Sequence, residues 1–192
     1  MAIPYRGSER YTIEDYFSWS DEERVELIDG EVHAMTLAPS SRHQAIARRL
    51  TKHLLKALDE SGRGTDVGGS CALFFGPIDV ILAPDTVVQP DLIVVCDPGK
   101  ITPRAIEGAP DLVVEILSPS TALRDRRTKR ILYERARVPE YLLLDPVERY
   151  AELFRLEPDG RYGAPVILGL EDSLDLLGMG ISTPIGALLP PD

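Results

Sequence analysis

Two carboxylates stand where hydrocarbon would be expected. Asp91 opens the run Leu92-Ile-Val-Val-Cys96, and Glu115 interrupts the run from Leu112 to Leu117. Apart from Glu115 both runs are apolar on both alternating faces, the pattern of central strands covered on two sides. A carboxylate in such a strand is costly unless it is paired, hydrogen-bonded or bound to a metal. If the two strands are antiparallel neighbours, the start of one lies beside the end of the other. Asp91 and Glu115 would then be close enough to share a divalent cation. Asp111 is the competitor, because Pro-Asp begins both runs. It lies roughly 13 Å from Glu115 along one strand, too far to grip the same ion, and is read as a strand-start residue.

The elements that must position this pair follow from periodicity and turn chemistry. Tyr11 to Phe17 reads as a short helix capped by Thr12, with Asp15 three residues on. Glu23 to Thr36 reads as a hairpin in which Val25, Leu27, Val32 and Ala34 alternate with polar residues about an Asp29-Gly30 turn. Pro39-Ser-Ser-Arg-His-Gln opens a long helix with His43, Ile46, Ala47, Leu50, Leu54 and Leu58 on one face, ended by Gly62 and Gly64. One or two short strands follow, at Cys71 to Phe75 and Ile78 to Leu82, before the two strands that carry the carboxylates. Thr121 to Ala136 is a second helix after Ser118-Pro-Ser. Glu140 to Leu144 is a buried strand, and Tyr150 to Leu156 with Tyr162 to Leu168 forms a terminal hairpin. The apolar tail from Ser173 either covers a sheet edge or meets a partner. The order predicts an α/β chain, α+β in arrangement, with a central mixed sheet flanked by helices and a β-hairpin towards each terminus.

The 192 residues suffice for one domain with a real core. Hydrophobic content of 44% and charged content of 27% are ordinary for a soluble protein. No run has the length of a membrane span, and Met1 to Arg10 lacks the apolar centre of a signal peptide. Cys71 and Cys96 form no metal or disulfide pattern and are expected as buried free thiols in a reducing cytoplasm. A net charge of −10 argues against avid, nonspecific nucleic-acid binding. The distribution is uneven, however. Between Thr121 and Arg137 stand Arg124, Arg126, Arg127, Lys129, Arg130, Arg135 and Arg137, against only Asp125 and Glu134. This is either a solvated helix face or a contact for a phosphate backbone.

Pro90-Asp91, Val114-Glu-Ile-Leu-Ser-Pro-Ser and Pro139-Glu-Tyr-Leu-Leu-Leu-Asp-Pro resemble the corresponding motifs of the Uma-two family of restriction-endonuclease-like proteins. That family lies within the PD-(D/E)XK nuclease superfamily. The resemblance extends to Glu26-Leu-Ile-Asp-Gly-Glu31, to the Pro-Ser-Ser-x-His43 helix start, and to Asp125, Lys129 and Tyr133, and so covers most of the chain. It implies a restriction-endonuclease-like domain over residues 1–192, with Mg²⁺- or Mn²⁺-dependent phosphodiester hydrolysis as the superfamily chemistry. One departure matters: the superfamily lysine two residues after the second acidic residue is replaced by Leu117. Lys129 is the candidate for a migrated replacement. Asp125, Lys129 and Tyr133 recur at four-residue steps on one helix face, the bland reading being an exposed Asp125–Lys129 ion pair of little worth.

The family pattern makes Glu31 a candidate third acidic group, where the bare reading is a solvent-facing strand residue. His43 is either a core histidine or a hydrogen-bond partner at the site. Gln89 contacts substrate or is a strand-edge amide, and Ser118 caps the following helix or touches phosphate. The expected metal set is Asp91, Glu115, Glu31 and the Ile116 carbonyl, with Asp91, Glu115 and Lys129 catalytic. Arg124, Arg126, Arg127 and Arg130 are expected to face nucleic acid, DNA foremost, in a cytoplasmic homodimer with no membrane partner. Two alternatives stand beside this: a non-catalytic nucleic-acid-binding or interaction module that keeps the fold, favoured by Leu117 and the net charge, and a hydrolase of other phosphate esters.

Overall fold

The computed structural model describes residues 10–19, 24–35, 39–178 and 183–189. In chain order these form α1 (Ile13–Tyr16), β1 (Val25–Ile28), β2 (Glu31–Ala34), α2 (Ser41–Glu60), β3 (Ala72–Phe75), β4 (Val80–Ala83), β5 (Thr86–Val88), β6 (Leu92–Val95), β7 (Ile106–Glu107) and β8 (Leu112–Ile116). Then follow α3 (Ala122–Arg124), a wide π turn (Asp125–Lys129) and α4 (Arg130–Arg135), which run together as one helix. β9 (Glu140–Asp145), β10 (Tyr150–Arg155), β11 (Val166–Leu168), β12 (Ser173–Leu174), β13 (Thr183–Pro184) and α5 (Ile185–Leu188) complete the chain.

The larger sheet has the order β11-β10-β9-β8-β6-β3 and is mixed. β6 pairs antiparallel with β8, Leu92 opposite Val114 and Val94 opposite Leu112. β8 pairs in parallel with β9, and the α3–α4 helix makes the crossover that parallel neighbours require. β6 and β8 are therefore interior strands, as their two-sided apolar pattern requires. Ile46, Leu50, Leu54 and Leu58 of α2 pack on one sheet face together with Leu174, Leu176, Ile185 and Leu188. The apolar tail thus completes a core layer beside α2. On the other face Leu132 and Tyr133 of α4 meet Ile93, Val113 and Leu143, alongside Val80 and Val88 of the smaller sheet. That smaller sheet has the order β2-β1-β5-β4-β7. Strands β5 and β7, three and two residues long, are too short to show a period, and the sequence pattern does not reveal them.

The first helix forms with Thr12 and Asp15 in a reciprocal capping box. The hairpin forms with Ile28 opposite Glu31. Asp29 and Gly30 then make a two-residue turn with φ of 51° and 76°, the mirror-image type that matches strand twist. The outer ends of the expected hairpin, Glu23 and Thr36, lie outside the described residues. The terminal hairpin pairs Ala151 with Leu168 and Leu153 with Val166.

One expectation is corrected. Cys71 and Cys96 are not free thiols but a disulfide. The β3–β6 register, Ala72 opposite Val95, sets the two cysteines across from each other, a neighbourhood hidden by their 25-residue separation. The inference to a reducing compartment loses its basis with it. No helix among the described residues is long and apolar enough to cross a membrane.

The turn gives a direct test. A Cβ on Gly30 would lie 2.5 Å from Arg10 Cβ, at a φ that side chains resist. Gly30→Val is expected to lower stability by about 1 kcal/mol or more, read as a reduced unfolding midpoint in denaturant.

Candidate active site

The site forms where three layers meet: the ends of β6 and β8, the first turn of α2, and the buried face of the α3–α4 helix. Extending the β6–β8 register by one residue sets Asp91 opposite Glu115. Asp91 Oδ2 accepts the Ile116 N–H at 2.7 Å, and His43 Nε2 lies 3.0 Å from the same oxygen. His43 is placed by the start of α2, where Ser40 Oγ accepts its backbone N–H. Asp111 is elsewhere, accepting the Cys96 N–H at 2.7 Å as a strand-start residue.

Glu115 is approached from the helix. Its Oε1 accepts from Lys129 Nζ at 2.8 Å and from Tyr133 OH at 2.9 Å. The π turn carries Asp125 and Lys129 inward, and both are buried, as is Tyr133. Single π turns of this kind gather at functional sites because they re-aim side chains without ending the helix. Lys129 Nζ also lies 3.8 Å from Asp125 Oδ1. The Asp125–Lys129–Tyr133 face is thus interior, not an exposed ion pair. Tyr141 closes the floor, its OH donating to the Asp125 carbonyl and its ring 4.8 Å from that of Tyr133.

A fourth acidic residue completes the cluster, and it is Glu26. Its Oε1 is 2.8 Å from Lys129 Nζ and accepts the Gln89 N–H at 3.0 Å, and its other oxygen lies 3.7 Å from Arg124. Glu26 is 1% exposed. Glu31, the sequence candidate, is not in the site: it is exposed on β2 with Arg10 at 3.6 Å. The alternation of Val25 and Leu27 hid Glu26, because β1 is buried at every position and its polar face also turns inward. Gln89 joins through its backbone only. Its side-chain amide donates to Asp79 and Tyr16. Ser118 Oγ bonds the hydroxyls of Ser120 and Thr121, and its carbonyl accepts the first N–H groups leading into the helix.

Most of the basic stretch is engaged within the protein. Arg124 is drawn to Glu26. Arg126 binds Asp145, Glu152 and Tyr150 at 2.7–2.8 Å. Arg130 lies against Glu134 and over the Phe154 ring. Of the four arginines expected to face nucleic acid, only Arg127 is exposed without an ion pair among the described residues. The other three are spent on the protein's own carboxylates and rings.

Burial dominates the electrostatics. It pushes Glu115 well above the ordinary carboxylate range, with the Lys129 charge acting against it and Asp125 and Asp91 adding to it. Asp125 is raised for the same reason. Burial opposes the Lys129 charge, but Glu115, Glu26 and Asp125 outweigh it and hold the ammonium pKa above its usual value. His43 is likewise raised, because its bond to Asp91, the Asp91 charge and the Ile116 backbone overcome desolvation.

These residues suit a hard divalent cation. Both bonds to Glu115 fall on Oε1 and both to Asp91 on Oδ2, so each carboxylate keeps one oxygen without a partner among the described residues. Among those residues no group of three or more His, Cys, Asp or Glu side chains could hold a metal. Two carboxylates with open positions are what Mg²⁺ takes when it keeps several waters.

Comparison with known proteins bears on the family and the fold. A family model described as "Putative restriction endonuclease", Uma2, matches residues 13–186. The chain belongs to the Uma2 family. A relative, the uncharacterized Synechocystis protein slr1290, is 31% identical over 175 residues, covering 88% of this chain and 86% of its own. A crystal structure titled as that of "a putative nuclease belonging to DUF820" from Anabaena variabilis superposes with a TM-score of 0.74 at 16% identity, covering 93% of this chain and 97% of the other. The fold of this Uma2 chain is therefore the mixed restriction-endonuclease-like one that the resemblance implied.

Two tests follow. Lys129→Met leaves Glu26 and Glu115 facing each other without their shared cation. We expect a loss of about 3–5 kcal/mol at neutral pH, measured by denaturant unfolding, that shrinks in acid as the carboxylates protonate. For His43 the folded pKa is raised, so its stabilising pairing with Asp91 is full below the unfolded value of about 6.5 and is lost as pH rises through the folded value. The gap in metal-free melting temperature between the wild type and His43→Gln is expected to be widest in acid and to close on the alkaline side.

Proposed function

We propose that this Uma2 chain is a metal-dependent endonuclease that hydrolyses phosphodiester bonds of nucleic acid, DNA foremost, and that it works as a homodimer so that two sites can address two strands. The observation that carries the reading is the delivery of Lys129 to Glu115. The strand position of the superfamily lysine is Leu117, which is 5% exposed within the apolar core, and the helix supplies an ammonium to the same carboxylate instead. The non-catalytic module was favoured by Leu117 and by the net charge; an ammonium beside Glu115 weighs against the first of these, and the net charge of −10 stands.

Asp91 and Glu115, helped by the Ile116 carbonyl, would hold Mg²⁺ or Mn²⁺. Such an ion, when bound, polarises the scissile phosphate and lowers the pKa of a water. Lys129 is kept charged by its three carboxylate neighbours, so it acts as a hydrogen-bond donor that orients the attacking water and steadies negative charge, and not as the base. Tyr133 and Lys129 together fix Glu115 through one oxygen and leave the other for the ion. His43 fixes Asp91 in the same way.

The test is cleavage of supercoiled, single-stranded and branched DNA with Mg²⁺ or Mn²⁺ by the wild type and by Glu115→Gln. We expect the wild type to cut and the variant to lose at least about a hundredfold in rate with its fold retained. Undiminished cleavage by Glu115→Gln would overturn the site assignment.

A further inference from the structure

We infer that the phosphate backbone of nucleic acid lies along the exposed face of α2, and not along the arginine-rich second helix. This rests on the nuclease reading above and names the surface through which it would hold its substrate.

Three observations carry it. First, the second helix has little charge to offer: Arg124, Arg126, Lys129 and Arg130 are bound to Glu26, Asp145, Glu152, Glu115 and Glu134. Secondly, α2 is basic on its outer side in a chain of net charge −10. It carries Arg42, Arg48, Arg49, Lys52 and Lys56, and no acidic residue before Asp59. Arg42 and Arg49 are turned to the protein, donating to the carbonyls of Pro146 and Ala187, and Lys56 is balanced by Glu60 at 3.6 Å. Arg48 and Lys52 are exposed and have no ion pair among the described residues. Thirdly, α2 starts at the candidate site. His43 in its first turn bonds Asp91, and Gln44, Arg48 and Lys52 follow at four-residue steps on one exposed row. At 1.5 Å per residue Lys52 stands about 14 Å along the axis from His43. A strand whose phosphate sits at Asp91 and Glu115 can therefore run down this row, meeting a cation about every turn. Phosphate contacts of this kind position the strand and carry no sequence information.

The experiment measures fluorescence anisotropy of labelled DNA duplex, DNA single strand and RNA duplex over a salt series, with Ca²⁺ in place of Mg²⁺ so that the carboxylates are neutralised, and with the probes checked for cutting. It uses the full chain as wild type, as Arg48→Gln/Lys52→Gln, and as Arg127→Gln. The expected result is salt-dependent binding by the wild type and a log–log salt slope shallower by about two in the α2 double variant. Arg127→Gln should keep the wild-type slope, and all three proteins should unfold at the same midpoint. The preferred probe tells DNA from RNA. A wild-type slope in the double variant overturns the α2 surface alone, as do equal losses in the double variant and Arg127→Gln. Binding of none of the nucleic acids by the wild type, or binding only of anionic phospholipid vesicles through the same residues, overturns the inference together with the nuclease reading.

Discussion

Everything at the site depends on one buried ammonium. Lys129 Nζ stands 2.8 Å from Glu115 and 2.8 Å from Glu26, so a single cation joins the central sheet, the helix that covers it and the smaller N-terminal sheet. An uncompensated charge at this depth would cost several kcal/mol. Each of the three elements therefore has to arrive in register before any of these charges is tolerable. The hairpin can thus be read as part of the site. It contributes Glu26, and through the Gln89 N–H bond it also fixes the chain two residues before Asp91.

The leucine at position 117 has a packing reason. Leu117 joins the apolar layer with Leu132, Tyr133 and Val138, and a lysine there would bring a charge into that layer. The helix position avoids this, because the π turn widens the helix just where Asp125 and Lys129 must reach the strand end. The ammonium meets Glu115 from across the layer instead of from along the strand. On the proposed reading the chemistry requires only an ammonium beside the carboxylate, and either position supplies one.

This explains what the sequence made legible. The Asp91–Glu115 neighbourhood could be derived from two runs and one rule about antiparallel ends. The four-residue spacing of Asp125, Lys129 and Tyr133 put the three on one helix face but left open whether that face is exposed, and only the tertiary packing turns it inward. Glu26 was illegible because alternation predicts one buried face, and β1 is enclosed on both. The arginines misled for a related reason: composition counts charges but does not show that Asp145 and Glu152, far along the chain, would arrive to take Arg126. The disulfide was hidden likewise, since only the β3–β6 register brings Cys71 to Cys96.

The charge balance ties the pieces together. Glu26, Glu115 and Asp125 converge on Lys129, with Asp91 acting on Glu115 from the neighbouring strand and Arg124 at the margin of Glu26. Burial raises Glu115 and Asp125 because the local cations do not fully offset their charges. A site so deficient in positive charge repels a phosphate and attracts a divalent cation, and an anionic polymer can approach it only if that deficit is met. A bound ion would meet it at the centre. Arg48 and Lys52 of α2 would meet it along the approach, where no ion pair among the described residues takes their charge. On this reading the acidity of the whole chain does not oppose a nucleic-acid substrate. It confines productive contact to the one face where the helix that positions Asp91 through His43 also carries free cations.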